Sequence, residues 1–263
     1  MLPLAAANFP ASPDELTAAL TAGFAARGVA VQSVRAEGAA LNALAALRID
    51  ITGAQVTRSL RLPAAPEEGA STVLAERFEL AGAPLEFEGA PVHLRVEAEH
   101  AELRFTGQAA DGALALANAG SGSASLAVAH AALEALLHRL ATEAATRQGL
   151  EIKKTKLVLT ARGPRALSFR CDVTAKMFVM SADLSLSGNL DVDEQLNARL
   201  SGLTLGGDAM VTKLAAGFVR PHLDKVEGRV FPLLALSLGG LRLRDVEIAT
   251  DDGLAVRAKF GRA

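Results

Sequence analysis

Apolar and polar residues alternate along most of the chain between Val92 and Phe260. In residues 92–99, for example, Val92, Leu94 and Val96 occupy alternate positions, and the residues between them are polar or charged. This period of two is typical of strands with one face buried and the other in water. The pattern therefore predicts a series of antiparallel strands with one wet face.

Three helices are predicted among the strands, over residues 14–27, 131–148 and 208–226, because apolar residues recur there at every third or fourth position. Glycines follow the first two, at Gly28 and Gly149, where a helix commonly ends. The apolar stripes of the second and third helices contain Leu133, Leu136, Leu137, Leu140, Val211, Leu214 and Phe218.

The strand pattern also predicts several turns. Strands over residues 45–52 and 55–62 are expected to pair across a turn at Thr52-Gly53, and Gly188-Asn189 is interpreted as a turn between two later strands. Within residues 194–205 the apolar residues change parity, which predicts a β-bulge at Ser201-Gly202. Since bulges bend sheets, a curled sheet is expected.

The composition disfavours two classes of function. Only 4% of the residues are aromatic, with no Trp and no Tyr, so stacking platforms for sugars or single-stranded nucleic acid are not expected. The formal net charge of −2 does not favour binding of a polyanion. DNA and RNA are therefore not expected partners.

The single cysteine, the lengths of the apolar runs and the first residues indicate where the protein is located. Cys171 is the single cysteine, so an intrachain disulfide is impossible, and its position in an alternating strand favours a small core residue over a nucleophile. No apolar run approaches the length of a membrane span, and the first residues lack the features of a signal peptide. We expect a soluble protein, cytoplasmic unless a leader has been removed.

Four polar clusters in the sequence are candidate sites. His130, Glu134 and His138 share one side of a helix and could hold a metal, but a solvated helix side is favoured. The group Asp191, Asp193 and Glu194 resembles part of a calcium loop and is better explained as a polar turn.

The other two clusters could bind anions. Gly206-Gly207-Asp208 precedes the third helix and could offer N–H groups, although a plain helix cap is favoured. Lys153, Lys154 and Lys156 form a basic cluster, most simply a solvated strand end, with contact to lipid headgroups as the alternative.

The apolar content is the remaining clue to function. Striped helices laid along a curled sheet can enclose a tube, and aliphatic linings without polar anchors suit acyl chains. The same residues could also pack against one another as a dry core. The pattern leaves both arrangements open.

A pattern of apolar spacing and glycines recurs in residues 122–128, 131–137, 150–152, 200–205, 238–246 and 252–256. This pattern resembles that of TULIP, the tubular lipid-binding superfamily, and in particular its bacterial periplasmic branch, which is linked to the assembly of cell-envelope glycolipids. It implies an α+β fold in which a long, highly curved antiparallel sheet wraps around one or two long helices. It also implies a hydrocarbon-lined cavity, no catalysis and, if a leader is removed, a periplasmic location.

Together these features predict a non-enzymatic protein that binds or transfers lipid, without a cofactor. Residues 1–129 would form an N-terminal helix and the first half of a continuous curved sheet, and residues 130–263 the lipid-binding half. The predicted cavity lining consists of the seven apolar residues of the second and third stripes, with Lys153, Lys154 and Lys156 as headgroup contacts and transient contact with a membrane surface. The alternative is a structural or scaffold protein with a filled core that acts through protein contacts.

Overall fold

A computed structural model describes residues 1–6, 8–56, 71–106, 112–146, 151–177, 180–207, 223–225, 227–233 and 241–262. The chain forms two compact units. The first contains Met1–Ala127, Leu236–Asp245 and Arg257–Ala263, and the second contains Val128–Ala235 and Val246–Val256. Each unit is described below by itself.

The first unit contains helix α1 (Pro13–Ala26), within one residue of the predicted bounds. Ser12 is the N-cap, and its hydroxyl accepts a hydrogen bond from the Glu15 backbone N–H. At the other end, Gly28 has φ of 69° and its N–H donates to the Ala25 carbonyl, while the Val29 N–H donates to the Phe24 carbonyl. These two bonds form a Schellman motif, so local signals at both ends fix this helix.

The strands of the first unit are β1 (Leu2–Pro3), β2 (Ser33–Gly38), β3 (Leu44–Asp50), β4 (Gln55–Val56), β5 (Thr72–Phe87), β6 (Ala90–Thr106) and β7 (Ala113–Asn118). Three further strands contribute residues to both units: β8 (Ser121–Ala129), β14 (Leu241–Ala249) and β15 (Gly253–Arg262). The sheet runs in the order β14-β15-β8-β6-β5-β3-β2, with β7 also on β6, β1 on β7 and β4 on β5.

This sheet corrects the predicted pairing around Thr52-Gly53. Strand β3 does not form a hairpin with β4; both pair with β5, and both do so in parallel. The sheet is therefore mixed. The part of the predicted strand that continues beyond Val56 lies outside the described residues.

The predicted fold class is wrong. The described chain is 63% strand and 16% helix, with two short helices and open sheets, so it is not a long helix wrapped by a curved sheet. The alternation predicted strand structure over most of these segments. It specifies neither the order of the strands in a sheet nor the length of the helices that pack on it. The predicted third helix falls mainly on residues 208–222, outside the described residues.

A continuous hydrophobic core fills the first unit. Its largest fully buried side chains are Leu16, Leu20, Leu44, Leu47, Ile49, Val73, Leu103 and Leu114. Helix α1 packs closely on the N-terminal segment, since a Cβ atom on Gly23 would lie 2.4 Å from the Pro3 carbonyl oxygen. Glycine is therefore required where the helix meets this segment.

The second unit contains helix α2 (His130–Thr146) and strands β9 (Glu151–Gly163), β10 (Ala166–Met177), β11 (Met180–Val192), β12 (Asn197–Gly207) and β13 (Val230–Pro232). These strands form a sheet in the order β13-β12-β11-β10-β9, and all four of its strand pairs are antiparallel. The antiparallel strands predicted after the second helix are confirmed. The two strands predicted over residues 92–99 and 101–106 are instead one continuous strand, β6.

Two glycine predictions had different outcomes. The bulge at Ser201-Gly202 is confirmed, since Gly202 has φ of 63° and the β11–β12 register shifts opposite it. The turn at Gly188-Asn189 is wrong, because both residues lie inside β11. A Cβ atom on Gly188 would lie 2.6 Å from Leu203 Cδ2 and 2.9 Å from Phe169 Cζ, so this glycine makes room for neighbouring side chains.

Candidate functional site

Helix α2 lies beside β9, the terminal strand of the five-stranded sheet. The Leu157 backbone N–H donates a hydrogen bond to Glu134 Oε2 at 2.8 Å. His138 Nδ1 and Thr155 Oγ1 form a second hydrogen bond at 3.1 Å. A terminal strand presents unpaired backbone groups, and the Glu134 carboxylate satisfies one of them.

These contacts differ from the predicted orientation of α2. Glu134 and His138 were expected on a solvated side, yet they face β9 and are half-buried. The predicted stripe of leucines lies on a different side of the helix, and all four members are half-buried: Leu133, Leu136, Leu137 and Leu140. Ala145 is the buried residue of α2.

The predicted lining residues of the third helix cannot be placed. Val211, Leu214 and Phe218 lie outside the described residues. The candidate apolar site is therefore built from α2 and the five-stranded sheet.

One face of this sheet is apolar. Directly paired residues of antiparallel strands share a face, and the register places Leu157, Cys171, Leu186 and Leu205 in one row across four strands. Leu157, next to α2, is 4% exposed. The other three are half-buried. This row of apolar side chains therefore remains partly accessible.

The pKa of the Cys171 thiol reflects its position on this apolar face. Burial raises the pKa of its thiol, and the negative charges of Asp172 and Glu134 raise it further. A raised pKa keeps the sulfur protonated at neutral pH, so it is a poor nucleophile.

The opposite face of the same sheet is polar and carries two depressions. A depression of about 440 Å³ is lined by residues that include Lys154, Lys156, Arg170, Asp172, Thr174, Asp183, Ser185 and Gly207. A second, of about 270 Å³, is lined by residues that include Val158, Thr160, Ser168, Arg170, Ser187 and Asn189. Arg170 borders both.

The predicted basic cluster is divided. Lys154 and Lys156 line the larger depression. Lys153 instead forms an ion pair with Glu151, which lowers the pKa of that carboxyl group.

The remaining polar candidates form local contacts. Asp193 accepts hydrogen bonds from the Asn197 backbone N–H at 2.8 Å and from Asn197 Nδ2 at 3.0 Å, which lowers the Asp193 pKa. His130 Nε2 lies 4.0 Å from Glu134 Oε2. Across the described ranges, no group of three or more His, Cys, Asp or Glu side chains is arranged to hold a metal ion.

The glycine pair of the candidate anion site belongs to a strand. Gly206 and Gly207 are the last residues of β12, and Gly207 has φ of 132°. Asp208 lies outside the described residues.

Comparison with known proteins does not place the chain in a family, since no protein family model, curated protein or solved structure matches it. Among the helices that the structure describes, none has the length and apolar character needed to cross a membrane.

Sequence reasoning missed the polar depressions and the contact between Glu134 and β9. The depressions collect alternate residues from several strands, and they become visible once the register is known. A signal for the helix contact was present, since Glu134 and His138 are four residues apart and lie on one side of α2.

Proposed function

We propose that the protein binds lipid acyl chains, without catalysing a reaction, on the apolar surface that α2 and the five-stranded sheet form in the second unit. The sheet is open, so the chain would lie along a face rather than inside a closed tube. The choice of lipid as ligand and of the cell envelope as its place follows the sequence resemblance to the TULIP superfamily, whose wrapped-helix fold this chain does not share.

One observation carries this proposal. The second unit has helical leucines and sheet residues that are half-buried, whereas the equivalent leucines of α1, Leu16 and Leu20, are 0% exposed. Accessible aliphatic surface next to a formed core is costly in water. Covering it with an acyl chain would gain about 0.8 kcal/mol for each buried methylene.

The polar groups bordering this surface suit binding better than catalysis. Glu134 and His138 are already hydrogen-bonded to β9, and the Cys171 thiol has a raised pKa. These contacts hold the helix against the sheet edge and leave the aliphatic side chains to meet the ligand.

The test is titration of the full chain with a fluorescent fatty acid, together with native mass spectrometry of co-purified lipid. Leu137→Asp places a charge on the leucine stripe and should weaken uptake at least tenfold, since each lost 1.4 kcal/mol is a factor of about ten. The matched control is Val158→Asp, which adds the same charge at a residue 40% exposed beside the polar depressions. It should leave uptake unchanged.

Circular dichroism and thermal unfolding would show that both variants are folded. Equal loss of uptake in the two variants, or wild-type protein that carries no lipid and takes up no fatty acid, would contradict the proposal. The second result would favour a scaffold that uses the apolar surface to contact another protein.

A further inference from the structure

The larger depression on the polar face holds three cationic and two anionic side chains. Both anions are already engaged: Arg170 Nε donates to Asp172 Oδ1 at 2.8 Å, and Thr174 Oγ1 donates to Asp183 Oδ1 at 2.6 Å. Lys156 stands directly opposite Asp172, and Lys154 opposite Thr174.

The two lysines form no ion pair with any residue that the structure describes. They alternate along β9, so their side chains leave the same face about 7 Å apart along the strand. Their ammonium groups are exposed. This depression therefore has a local positive excess in a chain whose net charge is −2.

Glycines keep one end of the depression free of side chains. A Cβ atom on Gly206 would lie 2.8 Å from Ser185 Oγ, and a Cβ atom on Gly207 would lie 2.1 Å from the Asp183 carbonyl oxygen. The half-buried Ser185 hydroxyl borders the same space. A small anion could reach both lysines and this hydroxyl.

The adjoining depression offers hydroxyl and amide groups instead of charges. Ser168 Oγ donates to Asn189 Oδ1 at 2.8 Å, which leaves the Asn189 amide N–H groups as donors. Thr160 and Ser187 border the same space. Such groups suit the hydroxyls of a polyol, and Arg170 joins the two depressions.

We propose that this polar face binds a phosphorylated polyol such as a glycerol phosphate group. The phosphate lies in the larger depression, where the ammonium groups of Lys154 and Lys156 donate hydrogen bonds to it and balance its charge. The polyol lies toward Thr160 and Asn189. A lipid headgroup and a soluble phosphate ester share this chemistry.

This site does not rest on the proposed binding of acyl chains. The register places it on the opposite face of the five-stranded sheet from the row that contains Cys171 and Leu186. The two proposals can therefore fail separately.

The experiment measures binding to the full chain in two arms. Calorimetric titration with glycerol 3-phosphate, inorganic phosphate and glycerol tests the soluble source. Sedimentation with vesicles of phosphatidylglycerol or of phosphatidylcholine tests the headgroup source. Each arm uses the wild type, the double variant Lys154→Gln/Lys156→Gln, and a control with the same charge change, Lys225→Gln/Lys259→Gln.

We expect binding in at least one arm, and removal of the lysine pair should weaken it at least tenfold. Binding to glycerol 3-phosphate or to phosphatidylglycerol identifies the source, and either result supports the site. Thr160→Val should weaken binding of glycerol 3-phosphate but not of inorganic phosphate.

Three results would overturn the site: no binding in either arm, measurable binding of inorganic phosphate that is as tight as that of glycerol 3-phosphate, or equal weakening by the control pair. All the variants replace exposed side chains, and circular dichroism would verify that they are folded.

Discussion

Helices α1 and α2 are built on the same plan but differ in how much of their apolar side is covered. Each precedes a terminal strand and supplies a hydrogen-bond acceptor to it: Thr17 Oγ1 accepts from the Ala36 N–H at 3.3 Å, and Glu134 Oε2 accepts from the Leu157 N–H at 2.8 Å. Yet α1 has five buried residues and α2 has one.

The comparison shows that a helix can cover a strand edge without burying its leucines in a core. The helix of the first unit does both, because its leucines enter a core shared with β1 and β2. The helix of the second unit shields the edge but leaves its leucines half-buried. Apolar surface that is not used for folding is available for a ligand.

The largest expected difference is in the free energy of unfolding after leucine truncation. Leu20→Ala in α1 should cost about 2–5 kcal/mol, because it leaves a cavity in a packed core. Leu137→Ala in α2 should cost about half as much or less, because its side chain is only half-buried. Urea unfolding of both variants measures this, and equal losses would show that the two helices are equally covered.

The next effect concerns the strand edge. Glu134→Ala leaves the Leu157 N–H without its acceptor and should lower the free energy of unfolding by about 1–3 kcal/mol. In the first unit, Thr17→Val removes a longer bond to an uncharged acceptor and should cost about 1 kcal/mol or less.

The control for this edge comparison is Glu194→Ala, which removes an exposed carboxylate from the turn before β12 and should change stability by less than about 0.5 kcal/mol. If Glu134→Ala resembled this control, the carboxylate would have no role in holding the edge.

The smallest effect is kinetic and reports how accessible the apolar face is. Because burial raises the pKa of the Cys171 thiol, little thiolate is present at pH 7, and the alkylation rate should keep rising with pH beyond the range of an ordinary thiol. Iodoacetamide labelling should be at least about tenfold slower in folded protein than in urea. Saturating fatty acid should slow it further, and labelling as fast as in urea would mean that the face is open to water.

The sequence predicted local structure well where the deciding contacts are local. Helix α1 was placed to within one residue because Ser12 and Gly28 act at its own ends. The alternation of residues 92–99 lies within strand β6. The order of the strands could not be predicted, because pairing β3 in parallel with β5 depends on partners far apart in sequence.

The candidate site was predictable only in part. Helical periodicity identified which residues of α2 share a side, but not which side meets the sheet. That choice depends on the outer edge of β9, where the Leu157 N–H requires an acceptor. In the same way, Lys156, Asp172 and Ser185 become neighbours through the register of three strands, which alternation alone does not determine.

The acceptor that each helix supplies to the following strand has a consequence for synthesis of the protein. The bonded residues are 19 apart in the first unit and 23 apart in the second, and in both the helix emerges from the ribosome first. Contacts of such short range form early in folding. The helix that covers each strand edge is therefore already synthesised when that strand emerges. It can cover the unpaired edge before a strand of a neighbouring nascent chain pairs with it.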